Sequence, residues 1–147
     1  IEMIFMWLNI GVLPFWLVLV IFPQSQICRV FITSIFPIFI LSLIYGYLVY
    51  ILFKEDYNFT RSFELYRGLN AVSNLFTDKA FIILFWLHFL SINLFCGGWI
   101  VKDSQKFSIN KILVSFPLLT TYFIGPIGLT LYWIIRIFYS KRINFYD

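Results

Sequence analysis

Residues 80–101 read AFIILFWLHFLSINLFCGGWIV, twenty-two positions without one formal charge. At about 1.5 Å per residue, a helix of that length spans about 33 Å, enough to cross a hydrocarbon core of about 30 Å. In lipid the backbone finds no outside hydrogen-bond partner, so a helix, which satisfies its own N–H and C=O groups, is the form such a run takes. Working outward, the runs 3–22 and 30–53 are equally free of charge, and 112–139 contains one charged residue, Arg136. The expectation is an all-α membrane protein with four transmembrane helices, at about 3–22, 30–53, 80–101 and 112–139, forming a single domain over 1–147.

Composition points the same way. The chain is 61% apolar and 12% charged, with a mean hydropathy of +0.89. A water-soluble globule so composed would expose apolar patches well beyond what monomers tolerate. The net charge of +4 forms no continuous basic face, so nucleic acid is not an expected partner. The cations sit at run ends, where they meet headgroups and set orientation. With four spans, Lys54, Arg61, Arg67, Lys79, Arg136, Lys141 and Arg142 lie on one side and Arg29, Lys102, Lys106 and Lys111 on the other. That places both termini and the long 54–79 loop on the cytoplasmic, stromal or matrix side. The sequon Asn58-Phe59-Thr60 then faces away from glycan transfer and reads as chance. Cys28 and Cys96 are expected to be free thiols, being too few for a disulfide framework or metal cluster.

Pro14, Pro37, Pro117 and Pro126 fall within the runs. Each frees a carbonyl four residues earlier that a neighbouring group must satisfy, so bent helices follow. Gly46, Gly97, Gly125 and Gly128 are candidate helix-packing positions, where a missing side chain lets backbones approach. In the 54–79 loop, Leu65, Leu69, Val72 and Phe76 recur at helical spacing opposite Glu64, Arg67, Asn70 and Asn74. That pattern predicts a short interfacial amphipathic helix at about 62–76. Thr77-Asp78 reads as the polar entry to the next helix.

Chemistry at membrane depth has few candidates. His88 is the sole histidine, expected to be buried and hydrogen-bonded because an unpaired polar ring is costly in hydrocarbon. One histidine makes neither a zinc site nor a bis-histidine haem site, although it suffices as an axial ligand to a chlorophyll. Asn93, five residues on, projects about 140° away, so the two are not expected to share a site. Every carboxylate is expected at a helix end or in a loop, which argues against a proton pump or ion-coupled carrier. Trp16, Trp86, His88 and Trp99 are the candidate ligand or pigment contacts, with His88 and Asn93 the only catalytic candidates if the chain is an enzyme. No motif demands a cofactor or metal; bound carotenoid, chlorophyll or lipid are the groups the composition admits.

Val12-Leu13-Pro14-Phe15-Trp16-Leu17 with Phe22-Pro23, Trp86-Leu87-His88 leading to Asn93-Leu94-Phe95 and Gly98-Trp99-Ile100 with Asp103, and Gly125-Pro126-Ile127-Gly128-Leu129 occur in that order. Together they resemble the abscisic-acid-deficient-four-like family of small four-helix membrane proteins, whose plant plastid members are needed to make neoxanthin from violaxanthin. Family members usually carry Asp where this chain has Asn93, and commonly Arg where it has Gly98. An epoxide opened through that carboxylate would find no acid or base at Asn93, whereas His88 matches the family histidine. The expected role is a non-catalytic accessory or structural subunit of an organellar membrane complex, contacting lipid and carotenoid, in a mitochondrial inner or plastid membrane. The alternative is a xanthophyll isomerase converting violaxanthin to neoxanthin.

Overall fold

A computed structural model describes residues 1–144, and secondary structure among them is helical throughout. The helices are α1 (Glu2–Ile21), α2 (Phe36–Lys54), α3 (Leu69–Leu75), α4 (Lys79–Lys106), α5 (Lys111–Phe123) and α6 (Gly125–Ser140). A π-helical turn, Cys28–Ile32, precedes α2, and a 3₁₀ helix, Phe59–Tyr66, precedes α3. Three helices are long and apolar enough to cross a membrane: α1, α2 and α4.

Helix α4, 28 residues long, is the axis on which the others pack. Asp78 opens it, its Oδ1 accepting from the Ala80 N–H at 2.9 Å, as the polar entry predicted. Helix α1 runs parallel to it, in a register readable from end to end. Lys79 Nζ lies 2.8 Å from Glu2 Oε1, Trp86 Nε1 donates to Asn9 Oδ1 at 3.0 Å, and Gln105 Nε2 donates to the Pro23 carbonyl at 2.5 Å. The buried face of α1, Leu8, Val12, Trp16 and Leu19, has the four-, four-, three-residue spacing of one helix stripe.

Helix α2 is antiparallel to α4, and the run 30–53 is not one helix. It divides at Thr33–Ile35, where the π-turn closes with Thr33 N–H donating to Cys28 O at 2.9 Å. Pro37 then lies in the first turn of α2, where no N–H is needed, so it starts that helix instead of bending it. The helix expected at 62–76 is also two pieces. Gly68, at φ 135°, separates the 3₁₀ helix from α3 in a conformation that side-chain-bearing residues avoid.

The largest departure is in the fourth run. Ile124 (φ −137°, ψ 79°) ends α5 and begins α6, and the chain turns back on itself. Pro126 has no N–H to donate to the Tyr122 carbonyl, and its ring crowds that carbonyl, which weakens the helix where it breaks at Ile124. Depth markers along α4 fix the reversal. Tyr122 and Gly125 both lie at Asn93, whereas Tyr132 and Arg136 lie at Asp103, about one turn from the end of α4. At about 1.5 Å per residue, the 13-residue α5 and 16-residue α6 measure about 20 and 24 Å, each short of a bilayer core. The described C-terminal residues therefore lie at the Lys106 end of the molecule, opposite Glu2.

Candidate functional site

The candidate residues fall on four different seams around α4. Trp16 meets Gly97, where an added Cβ would lie 2.7 Å from the indole Cη2, and its ring stands edge-on to Tyr122 at 5.4 Å. Trp86, held to Asn9, stacks on Phe89. Trp99 stacks on Trp133 of α6, with centroids 5.7 Å apart and planes within 10°. His88 faces the middle of α2, beside Tyr45 at a centroid distance of 5.0 Å. Trp16, Trp86, His88 and Trp99 thus do not converge on one pocket.

His88 is exposed on the molecular surface, and it lies against the aromatic ring of Tyr45, which corrects the expectation of a buried, hydrogen-bonded histidine. The reason is its phase on α4: Leu87 and Leu90 take the inward face, leaving position 88 on the flank. There a cavity of about 260 Å³ lies between α2 and α4, lined by Leu41, Ser42, Tyr45, His88, Ser91 and Ile92. Ser91 spends its hydroxyl hydrogen on the Leu87 carbonyl at 2.7 Å. Gly46, one residue beyond Tyr45, has open space where a Cβ would stand, so nothing packs against it.

Asn93 points the other way, as the helical phase requires. It is buried, its Oδ1 fills the space that a side chain on Gly125 would need, and its Nδ2 lies 3.5 Å from the Tyr122 carbonyl. That carbonyl is the one Pro126 leaves without its helical donor. Asn93 therefore plugs the hairpin tip and serves the backbone. Gly128 completes the tip: a Cβ there would overlap the backbone N and Cα of Thr121.

Sequence reasoning placed no carboxylate inside the protein, and this too is corrected. Asp103 is 8% exposed and Arg136 is 0% exposed. One oxygen, Oδ2, accepts from Arg136 Nε at 2.7 Å and from the Tyr132 hydroxyl at 2.5 Å. Phe107 and Trp133 place their rings about the guanidinium, with Cζ 4.9 and 5.1 Å from their centroids. Nη1 and Nη2 have no hydrogen-bond partner among the described residues. The signal was present in the spacing: Gly125, Gly128, Tyr132 and Arg136 form one stripe of α6, so Arg136 shares a face with the packing glycines.

Cys28 and Cys96 are free thiols, and no group of three or more potential metal ligands occurs among the described residues.

A family model described as ABA DEFICIENT 4-like matches residues 3–132. This chain belongs to the ABA DEFICIENT 4-like family. Among curated proteins it is similar to "Protein ABA DEFICIENT 4, chloroplastic" from Arabidopsis thaliana, 24% identical over 129 residues. That alignment takes in 86% of this chain and 57% of the relative, so the chain spans little more than half the relative's length. No solved structure matches. The motifs that carry this membership do structural work here: Gly125-Pro126 and Gly128 make the hairpin, Asn93 plugs it, and Asp103 anchors it. Among the motif residues, His88 is the one whose polar ring is not committed to holding the fold.

Proposed function

We propose that this ABA DEFICIENT 4-like protein is a multi-pass protein of a plastid-type membrane that holds a xanthophyll between α2 and α4, as a non-catalytic accessory subunit of a larger membrane assembly. The observation that carries the reading is His88. Its imidazole, with Ser42 and Tyr45, opens from an otherwise apolar seam toward the lipid side at membrane depth. A polar group left there without a partner is costly. An elongated apolar molecule bearing a hydroxyl or epoxide oxygen satisfies both the seam and the ring. Asn93 supports a role without chemistry, because its amide is committed to the Tyr122 carbonyl.

In the same reading the chain is one domain with three membrane crossings, α1, α2 and α4, while α5 and α6 form a re-entrant hairpin. Cysteine labelling tests this directly. Reporters at 110 and 143 should share one side of the membrane, with 58 on the other. A linear fourth span would instead put 58 and 143 together.

The second reading, a xanthophyll isomerase, is favoured by the His88–Tyr45 pair. In that chemistry a base removes a proton from carbon next to the epoxide, the C–O bond breaks, and an acid protonates the oxygen. Atoms and electrons balance without a cofactor. Mild purification followed by pigment extraction, violaxanthin turnover and native electrophoresis distinguishes the two. The accessory reading expects retained xanthophyll, co-migration with a large complex and no conversion to neoxanthin. His88→Leu should lower pigment retention about three- to tenfold, the worth of one hydrogen bond. Migration as a monomer or small homo-oligomer, with turnover, would establish the isomerase. Retained chlorophyll would replace the ligand assignment with an axial one. Asn93→Asp sharpens the contrast, since gained turnover would trace the difference to that carboxyl group, which can hold the Tyr122 carbonyl only when protonated.

A further inference from the structure

The hairpin redistributes the chain's charge. At the Lys79 end lie the cations Lys54, Arg61, Arg67 and Lys79, together with Glu2, Glu55, Asp56, Glu64 and Asp78. Charges of both signs alternate there, and Arg61 pairs with Asp78 at 3.0 Å and Lys79 with Glu2 at 2.8 Å. With α6 turned back, the Lys106 end holds Arg29, Lys102, Lys106, Lys111, Arg136, Lys141 and Arg142. Its one carboxylate among the described residues is Asp103, buried and bound by Arg136. Lys102, Lys106, Lys111, Lys141 and Arg29 are all exposed.

A cavity of about 400 Å³ opens at this end between the π-turn, the start of α2 and the last turns of α4. Ile35, Pro37, Ile38, Leu94 and Phe95 make its apolar walls, and Lys102 stands at its rim. Thr33 and Ser34 also line it, but their hydroxyls already donate to Cys28 O at 3.1 Å and Phe31 O at 2.6 Å. Charge recognition at the rim therefore falls to the Lys102 ammonium. From Leu94 to Lys102 the trough runs about 12 Å along α4, parallel to the direction of an acyl chain.

We infer that this cavity is a site for an anionic membrane lipid, its headgroup phosphate on Lys102 and one acyl chain lying in the α2/α4 trough, and that the Lys106 end faces the anionic leaflet. The inference rests on the membrane-spanning reading above and concerns a cavity distinct from that of His88. Charge complementarity chooses the occupant. A neutral lipid fills the apolar trough equally well but gains nothing from a cluster of cations that has no exposed carboxylate among the described residues, and each lysine near an anionic surface adds about fivefold in affinity. The same imbalance reverses the orientation drawn from four linear spans, since the more basic end is the one retained on the cytoplasmic, stromal or matrix side. The 55–78 segment, with Asn58, then lies on the translocated side.

The test uses the full chain in nanodiscs of phosphatidylcholine containing a minor fraction of either phosphatidylglycerol or further phosphatidylcholine, each brominated on its acyl chains. Trp99 lines the cavity, so the part of the quenching that is lost in Trp99→Phe reports a brominated chain lodged there. Brominated phosphatidylglycerol should quench more strongly at equal mole fraction, with the preference falling about fivefold in Lys102→Gln and little in Lys111→Gln. Equal quenching by the two lipids, or a preference untouched by Lys102→Gln, overturns the site while leaving the spanning architecture intact. Release of the chain by alkaline wash, with no quenching by either lipid, overturns both.

Discussion

Asp103→Ala will destabilise the protein by about 3–5 kcal/mol, the cost of stripping the partner from a buried charge. Arg136 is fully enclosed, and its Nε bond to Asp103 is its only hydrogen bond among the described residues. Removing the carboxylate leaves a guanidinium with two aromatic faces and no counter-charge. It also leaves the Tyr132 hydroxyl without its acceptor. Equilibrium unfolding in mixed micelles measures the loss. Asp103→Leu combined with Arg136→Met should recover most of it, because deleting both charges also deletes the desolvation that each requires. Tyr132→Phe removes one hydrogen bond and leaves the ion pair, so its effect should be about 1 kcal/mol. If the single Asp103 variant is as stable as the parent, the pair does not hold α6 to α4.

That pair was not legible in the sequence, and the elements that were legible differ from it in physical kind. The runs centred on Leu8–Leu19 and Leu87–Val101 were legible because long apolar stretches leave the backbone few options in lipid. The Asp78 entry was legible because a side-chain acceptor at a helix start has one local job. The fourth run misled because a mainly apolar run of 28 residues satisfies the length rule for a span whether or not the chain reverses inside it. Hydropathy carries no information about direction. What decides it is local: Pro126 removes a donor, Gly125 leaves room for the Asn93 side chain, and Gly128 lets α6 lie against Thr121.

Asp103 was misplaced for a related reason. Counting from the end of an apolar run puts it in the interface, but α4 continues as helix to Lys106 and α6 returns to cover it. A carboxylate at a run's end is buried only if another element comes back, and the hairpin is that element. His88 was misjudged in the opposite sense. Its position at mid-run suggested burial, while its phase between Leu87 and Phe89 put it on the flank facing α2. The angular separation of His88 from Asn93 was legible, since it follows from helix geometry alone. Their separate assignments, one to an open seam and one to the hairpin tip, required the packing of α2, α5 and α6.

In the proposed assembly, the polar 54–79 loop, the 102–111 segment and the Ser140–Asp147 tail are where partner contacts are expected. Of that tail, residues 145–147 lie outside the described structure. Exposed Phe63, Tyr66 and Leu69 at the loop surface suit an interfacial position, with aromatic and aliphatic groups at headgroup depth.

Gly128→Val should open the hairpin, at a cost at or above the upper end of the overpacking range, about 3 kcal/mol. A Cβ at 128 overlaps the backbone N and Cα of Thr121, atoms that no rotamer change can move aside. Thr121 is itself fully buried, with its hydroxyl donating to the Pro117 carbonyl at 2.7 Å. The two arms must therefore separate at their closest approach. Gly125→Val makes a different clash, with the Asn93 side chain, which can swing away but then abandons the Tyr122 carbonyl. That variant should cost about 1–3 kcal/mol, the penalty for one unsatisfied buried acceptor. Gly46→Val is the control: its Cβ enters open space, so little change is expected. Unfolding titrations rank the three, and labelling at residue 143 reports whether the C-terminal arm has left the Lys106 end. Should Gly128→Val match Gly46→Val in both measurements, the fourth apolar run is not folded back on itself, and the charge distribution and orientation argued from that reversal fall with it.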